Sequence, residues 1–384
     1  MREAIDSALA QTYGNFEVIA VNDGSNDGDA TREIALSYGD KIRYFEKENG
    51  GVATALNLAV EKMEGEYFSW LSHDDLYYPN KLTAQIEALR KRGDWTAIVY
   101  SGFDYLDMVS GEKWPAGLGQ YPLERLEHSV FPILYGLVHG CSLLIHRSHF
   151  ERVGVFDKTL LTSQDYDLWF RMFRGQRLLF VPQPLICARI HPEQGTNTME
   201  CYEEESNRFF FNAALSLSEE EVYSVFCHPF LLYHKIGRHF CEPGGTEAYE
   251  TLRERYGPKT LSEAARRRIQ DWLDKQGKWS RICIFCAGMY GKRMRFTLLE
   301  LGLSVNYFSD NNPALWGEAV DGTPCISPDE LQKISGETLV LVSLLSPEPV
   351  LKQLKRLGCP YVMTKQQFER ELFDLLAENS GNME

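Results

Sequence analysis

The sequence predicts an α/β protein, because short apolar strands alternate with amphipathic helices in two parts of the chain. In the first half, the apolar stretches that fit strands lie at 16–22, 42–45, 67–71 and 97–100. The alternation restarts at Arg281 with an apolar strand, a glycine-containing turn and a helix. Strands and helices that alternate at this pace predict a mostly parallel sheet with helices on both faces.

The length of the chain predicts more than one domain. A single domain rarely reaches the 384 residues found here. We predict an α/β domain over residues 1–200, a helical connector over 201–278 and a small Rossmann-like α/β domain over 279–384. The middle part is charged and helical in pattern, and it carries no catalytic constellation.

Composition and charge exclude several classes of protein. The formal net charge of −14 argues against a nucleic-acid-binding surface. No apolar run approaches the length of a membrane span, and charged residues interrupt the first few positions, where a signal peptide would be apolar. The nine cysteines have no regular spacing and fit reduced thiols. We therefore expect a cytoplasmic protein without a transmembrane segment.

The strongest chemical signal lies between Gly65 and Pro79. An apolar strand at 67–71 runs directly into Asp74 and Asp75. The carboxyl ends of strands are where open α/β sheets bind ligands. Paired carboxylates suit Mg²⁺ or Mn²⁺, which proteins share with substrate phosphates. The alternative is that both aspartates only cap the next helix, and this stretch alone does not decide between the two.

Two earlier turns also have the composition of ligand-binding loops. Asp23 opens a turn rich in glycine, serine and asparagine after the strand at 16–22. Gly50 and Gly51 precede a predicted helix at 52–63. A glycine pair at a helix start lets backbone N–H groups approach a phosphate, although most such pairs are plain turns.

These motifs follow one another in an order that resembles the family-2 glycosyltransferases, which have the GT-A fold. The segments that carry the resemblance are VNDGSNDG at 21–28, ENGGVATALN at 48–57, GEYFSWLSHDD at 65–75, GCSLLI at 140–145, VGVFD at 153–157, QDYDLW at 164–169 and RIHP at 189–192. They cover about the first half of the chain. Several motifs in one order are more specific than any single motif, and they imply a GT-A nucleotide-sugar-binding domain.

The resemblance implies the residues that would bind the nucleotide sugar. They are Asp23, Gly50, Gly51, Asn57 and Asp74. Asp23 matches the aspartate that bonds the base of the nucleotide. The glycine pair and the asparagine lie in the second motif, and Asp74 lies in the region that corresponds to the family's D-x-D motif.

The resemblance also implies a metal site and a general base. Asp75, Asp74 and His191 match residues that hold Mn²⁺ or Mg²⁺ in relatives, although a lone histidine in this position is more often structural. Asp165 matches the general base and opens an amphipathic helix. Its alternative role is local, because Thr162 and Asp165 have the spacing of a capping box and acids favour helix N-termini.

The chain departs from the family pattern at three places. Ser72 stands where many members carry an aspartate, so the D-x-D is reduced to an adjacent pair. Leu56 precedes Asn57 where a basic residue is common, so one diphosphate contact is expected to be missing. The family's first strand, similar to VSVIIPTYN, is absent. We expect a truncated chain or a late start, because a sheet without its central strand would have two open edges.

The small α/β domain resembles a Rossmann fingerprint. Cys286 stands at the first glycine position, Gly288 and Gly291 follow, and Asp310 lies after the second strand. The domain is similar to Rossmann-like domains appended to some polysaccharide-biosynthesis enzymes. A structural domain without a ligand and a nucleotide site both remain open.

Together these features predict an inverting glycosyltransferase of polysaccharide biosynthesis. It would move a sugar from a nucleotide donor, expected to be UDP-linked, to a hydroxyl of a saccharide or lipid-linked acceptor. A lipid-linked acceptor would bring a cytoplasmic enzyme into peripheral contact with the inner face of the membrane. The alternative is a catalytically inactive sugar-nucleotide-binding or assembly protein. A glycoside hydrolase is disfavoured, because Asp74 and Asp75 lie beside nucleotide-type motifs.

Overall fold

The structure is a computed structural model that describes residues 1–236, 247–344 and 347–377. The chain divides into two compact units, Met1–Ala213 and Ala214–Glu384. The structure groups the helices that follow Ala213 with the C-terminal α/β part. The division into three domains stays a prediction.

The first unit contains helices and strands in alternation. Its helices are α1 Arg2–Leu9, α2 Ala30–Leu36, α3 Val52–Lys62, α4 Lys81–Arg92, α5 Leu123–Leu126, α6 Phe131–Leu134, α7 Ser148–Val153, α8 Gln164–Phe173 and α9 Gly195–Thr198. Helix α10, Tyr202–Ser216, begins in this unit and ends three residues past its boundary. Its strands are β1 Ile19–Asn22, β2 Arg43–Glu46, β3 Tyr67–Phe68, β4 Leu76–Tyr77, β5 Val99–Asp107, β6 Lys113–Pro115, β7 Ile145–His146 and β8 Leu179–Ile190.

The strands of the first unit pair in both directions. β1 and β2 are parallel, and β3 is antiparallel to β7. A larger sheet has the order β4-β8-β5-β6, in which β5 and β8 run parallel and the outer pairs run antiparallel. The predicted α/β class is confirmed, and its first unit mixes parallel with antiparallel pairs. Apolar residues of α4 and of β5 and β8, such as Leu89, Val99 and Leu185, form a buried cluster beneath this sheet.

Strand β3 is shorter than predicted, and the reason bears on the site. The expected strand at 67–71 ends at Phe68. Beyond it, the Ser69 hydroxyl donates to the Leu143 carbonyl, and the Tyr77 hydroxyl donates to the Trp70 carbonyl. Side-chain hydrogen bonds, one of them to the distant Leu143, therefore take the place of strand pairing and hold the segment that leads to Asp74.

The second unit is a helical layer followed by a six-stranded sheet. Its helices are α11 Glu219–Phe226, α12 Pro229–Ile236, α13 Glu247–Tyr256, α14 Glu263–Asp274, α15 Met289–Glu300, α16 Pro328–Ile334, α17 Glu348–Arg356 and α18 Lys365–Ala377. Its strands are β9 Arg281–Phe285, β10 Tyr307–Ser309, β11 Ala319–Val320, β12 Thr323–Ile326, β13 Thr338–Val342 and β14 Tyr361–Thr364, in the order β11-β12-β10-β9-β13-β14. All pairs are parallel except β11 with β12, which matches the predicted alternation.

Candidate functional site

The two adjacent aspartates have different surroundings, and Asp75 is the buried one. Only 4% of Asp75 is exposed. The backbone N–H of Arg189 donates to its Oδ1 at 3.0 Å, and the Cys141 thiol donates to its Oδ2 at 3.4 Å. Burial raises the pKa of Asp75, although the nearby His139 opposes this effect. The carboxylate is thus held by protein donors on both oxygens.

Asp75, His139 and Cys141 together form a candidate three-ligand metal cluster. Their donor atoms lie within 4.8 Å of one another. However, the Cys141 N–H donates to His139 Nδ1 at 3.3 Å, which puts the proton of a neutral imidazole on Nε2, 3.6 Å from the Asp75 carboxylate. Burial also raises the pKa of the Cys141 thiol well above its ordinary value. In this arrangement Cys141 donates to Asp75, and the Nε2 proton of His139 faces the same carboxylate.

Asp74 lies in more open surroundings and faces a histidine. Its Oδ2 is 3.3 Å from Nε2 of His191, and its other oxygen accepts a hydrogen bond from the Ser72 hydroxyl. Burial alone would raise the pKa of Asp74, but the Ser72 hydrogen bond and the neighbouring His73 lower it below its ordinary value. An ionised carboxylate and an imidazole at this separation can both reach one divalent ion.

Strand pairing explains why Asp74 and His191 meet. β4 runs antiparallel to β8, with Leu76 opposite Cys187, so the residues just before β4 face the end of β8. Arg189 secures this junction, because its side chain donates to the Asp74 carbonyl and pairs with Glu3. Arg189 was not predicted to have a role, although it belongs to one of the motifs that carry the resemblance.

Asp165 lies at the start of α8, close to the segment that carries the aspartates. Gly140 is the link: a Cβ added there would lie 2.6 Å from the Trp70 ring and 3.6 Å from Asp165 Oδ2. Asp165 is half-buried, and burial raises its pKa from 3.8 to about 6. The capping-box alternative is wrong, because Ser163 is the N-cap residue and its side chain makes no cap hydrogen bond.

Asp23 holds the loop that carries the glycine pair. Its Oδ1 accepts hydrogen bonds from Lys47 Nζ at 2.5 Å and from the Gly50 N–H at 3.1 Å. Gly24, which follows Asp23, has a φ of 67°, and a Cβ there would lie 2.6 Å from the Asn49 nitrogen. Lys47, the residue that follows β2, was not among the predicted site residues.

Gly51 and Asn57 lie on or beside α3, and Asn57 already has partners. Gly51 is the N-cap of α3, with a φ of 85°. The Asn57 amide donates to the Phe156 carbonyl at 2.9 Å and accepts from the Phe156 N–H at 3.0 Å. This pair ties α3 to the VGVFD segment. The nucleotide role of Asn57, like the roles of the other site residues, stays a prediction.

A buried lysine beneath the site was not predicted. Lys81 is fully buried and donates to Ser69 Oγ at 2.7 Å, to Gln85 Oε1 at 2.9 Å and to the Leu143 carbonyl at 3.1 Å. Burial lowers the pKa of Lys81 to about 7. Gln85 in turn donates to the Ser142 carbonyl at 2.7 Å. The two side chains hold the chain after β3 and the Gly140–Ser142 turn together.

The fingerprint of the second unit has a closed geometry. Cys286 has a φ of 80°, the left-handed conformation that suits the glycine it replaces. A Cβ on Gly291 would lie 2.0 Å from the Cys286 carbonyl oxygen, so the turn packs tightly on α15. The Asp310 carboxylate accepts from the Ala287 N–H at 2.8 Å. These contacts support the turn itself.

No helix within residues 1–236, 247–344 and 347–377 is both long enough and apolar enough to cross a bilayer.

Comparison with known proteins identifies relatives of this chain. The model of the family described as "Glycosyl transferase family 2" matches residues 1–154. An uncharacterized glycosyltransferase of Rickettsia typhi is 49% identical over 226 residues, which cover 59% of this chain and 70% of that protein. One of Rickettsia felis is 47% identical over 232 residues, 60% of this chain and 38% of that protein. The chain thus spans under two fifths of the length of the latter relative.

The fold comparison agrees with the family comparison. A crystal structure of S. aureus TarS in complex with UDP-GlcNAc matches with a TM-score of 0.50 and 13% identity, covering 78% of this chain and 88% of that chain. This similarity supports the predicted GT-A fold. Because the R. typhi protein is nearly half identical over most of its own length and the family model matches the motif-bearing region, this chain belongs to glycosyl transferase family 2.

Proposed function

We propose that this protein is an inverting glycosyltransferase that moves a sugar from a UDP-linked donor to a hydroxyl of a saccharide or lipid-linked acceptor. One observation carries the proposal. A half-buried carboxyl with a raised pKa, Asp165, lies beside the Trp70–Gly140 contact, and the chain from Trp70 leads directly to Asp74, which faces His191. A base and a cation-binding pair on neighbouring segments are what a single displacement needs.

Asp165 has the properties of a general base. With a pKa of about 6 it is mostly ionised at neutral pH, yet it is still basic enough to accept a proton in the transition state. It would take the proton of the acceptor hydroxyl as that oxygen bonds to the anomeric carbon. The bond from the anomeric carbon to the diphosphate breaks on the opposite face, so one displacement inverts the configuration.

Asp74 and His191 are the residues that we propose hold Mn²⁺ or Mg²⁺. A bound divalent ion supplies a Lewis acid that neutralises the charge developing on the leaving diphosphate. We give Asp75 a supporting role, since Arg189 and Cys141 already donate to its two oxygens. This departs from the sequence-based expectation that Asp75 is itself a ligand.

The nucleotide would lie against the loops that precede α3. Lys47, Gly50 and Thr54 donate to Oδ1 of Asp23. Its Oδ2 would accept from the base, as the resemblance implies. The N–H groups at the start of α3, which follows Gly51, would face the phosphates. UDP is the expected nucleotide, and the crystal structure of TarS with UDP-GlcNAc supports that choice.

A non-catalytic sugar-nucleotide-binding or assembly protein is the second candidate. The observation that favours it is that both polar atoms of Asn57 are engaged with Phe156, so the second motif would contribute less to the diphosphate. For the enzyme, a cytoplasmic location with peripheral membrane contact and a place in polysaccharide biosynthesis remain part of the proposal.

Two measurements test the proposal. UDP binding by calorimetry should tighten with Mn²⁺, and Asp74→Ala should remove that effect, because the substitution removes one of the two ligands. Equal UDP affinity in Mn²⁺ and in EDTA would contradict the metal site. Turnover should then appear in a panel of UDP-sugars with Mn²⁺. A protein that binds UDP but hydrolyses or transfers no sugar in the panel would be the binding protein instead.

A further inference from the structure

Helix α10 carries a buried carboxylate whose contacts converge on the chain just before Asp165. Glu205 is only 6% exposed. It accepts hydrogen bonds from three consecutive backbone N–H groups and from two hydroxyls. Its Oε1 accepts from the Leu161 N–H at 3.0 Å. Its Oε2 accepts from the N–H groups of Thr162 at 2.9 Å and Ser163 at 3.2 Å, and from their hydroxyls at 2.9 Å and 3.3 Å. These donors lower the pKa of Glu205 although burial would raise it.

This carboxylate anchors the turn that leads into α8. Ser163 is the N-cap of α8, but its hydroxyl donates to Glu205 instead of accepting from the helix. Three successive N–H groups in a turn need an acceptor, and a carboxylate is a strong one. Because Asp165 follows Ser163 by two residues, Glu205 determines where the chain enters the turn that presents the base.

Glu205 lies on α10, which packs against α8. The Phe209 ring meets the Tyr166 and Phe170 rings edge-on, with centroids 5.8 Å and 6.0 Å apart. A carboxylate on a helix fixed in this way can hold a loop in one position, whereas a carboxylate on a mobile segment would move with it.

We propose that Glu205 is a positioning residue for the base: through the backbone of residues 161–163 it sets the place of Asp165, without touching the substrate itself. The inference rests on the proposed function, since it requires Asp165 to be the base. It also assigns a role in transfer to α10, which lies outside residues 1–154 matched by the family model.

The test compares three variants of Glu205 with a matched control. Glu205→Ala removes every acceptor, and Glu205→Asp keeps the charge but is one methylene short. Glu205→Gln can keep an oxygen at the Oε2 position, where most of the donors converge. The control is Glu204→Gln, an exposed residue of the same helical turn. Turnover of UDP-GlcNAc, UDP-glucose and UDP-galactose with Mn²⁺ is measured below the melting temperature of every variant.

For Glu205→Ala and Glu205→Asp we expect kcat to fall by about 10- to 100-fold, the usual effect of a small misplacement of a reacting group. KM for the donor and UDP affinity should stay within about twofold, because the nucleotide loops are not touched. Glu205→Gln should recover most of kcat, and Glu204→Gln should match the wild type. If Glu205→Ala does not fold, the Asp and Gln variants decide the question.

Several results would overturn this inference. One is an unchanged kcat in folded Glu205→Asp or Glu205→Ala, with only a lower melting temperature, which would show a purely structural role. Another is a loss of UDP affinity together with kcat, which would place the effect on the donor. An equal loss in Glu204→Gln would indicate a general charge effect. A wild type that turns over no sugar in the panel would instead refute the proposed function, and this inference with it.

Discussion

Replacing Asp165 by asparagine should make the protein more stable and nearly inactive. Burial raises the pKa of Asp165 from 3.8 to about 6, so the folded protein binds this proton more tightly than the unfolded chain does. The stability linked to that proton is present below about pH 4 and is lost as the pH rises through 6. The difference of about two pH units corresponds to about 1–3 kcal/mol at pH 7, after allowance for partial solvent contact.

Asparagine has nearly the size of aspartate but carries no charge, so the variant does not lose stability by burying an ionised carboxylate. At pH 7 we expect the unit that contains Asp165, Met1–Ala213, to unfold at a temperature higher by several degrees in Asp165→Asn, roughly 2–4 °C for each kcal/mol in a unit of this size. Below about pH 4 the two proteins should melt alike. UDP affinity should be unchanged, because the proposed nucleotide loops lie elsewhere. Transfer should fall about 100-fold or more, the usual contribution of a positioned base.

The assay is thermal melting from pH 4 to pH 8, with UDP calorimetry and transfer measured on the same samples. Asp167→Asn is the matched control in the same helical turn. Asp167 pairs with Arg171 through contacts of 2.9 Å and 2.7 Å, so its variant should gain no stability and should keep transfer. The reasoning is refuted if folded Asp165→Asn transfers sugar at a near-normal rate, or if it is less stable than the wild type at pH 7.

Three further predictions concern the same site. The kcat/KM of the wild type should fall about tenfold between pH 7 and pH 5 as Asp165 becomes protonated, and a flat profile over that range would contradict its role. Gly140→Ala should lower the free energy of unfolding in denaturant by about 1–3 kcal/mol and reduce transfer, because its Cβ would lie 2.6 Å from the Trp70 ring. Gly119→Ala is the control, since Gly119 has open space around it. Equal effects of the two substitutions would count against the packing argument. Burial lowers the pKa of Lys81 from 10.5 to about 7. Between pH 7 and pH 10.5 the unfolded chain therefore binds more protons than the folded protein does. Across this pH range the stability of the wild type should rise with pH relative to that of Lys81→Met. If the stabilities of the two proteins change in parallel with pH, the pKa of Lys81 is not lowered.

The sequence was sufficient for the features that depend on local pattern. Apolar alternation predicted the α/β class, and β9 has the predicted bounds, Arg281–Phe285. The start of α3 at Val52 follows from the glycine pair before it. The order of motifs predicted the family, because a series of segments in one order is seldom matched by chance.

The surroundings of each site residue could not be predicted, because they come from distant parts of the chain. Asp75 is held by Cys141 and by Arg189, which are 66 and 114 positions away. Nothing in the local sequence distinguishes its environment from that of Asp74. Lys81 is charged and lies on an amphipathic helix, a pattern that predicts a solvated side chain. Its burial depends on three acceptors that only the folded chain brings together.

The central claim is that this protein transfers a sugar by a single displacement, and the configuration of the first product tests it most directly. A UDP-α-sugar from the active panel is incubated with enzyme and Mn²⁺, and proton NMR follows the anomeric signal of the sugar before it mutarotates. Our account predicts that the β-anomer forms first and that Asp165→Asn does not produce it. An α-anomer as the first product would contradict the account.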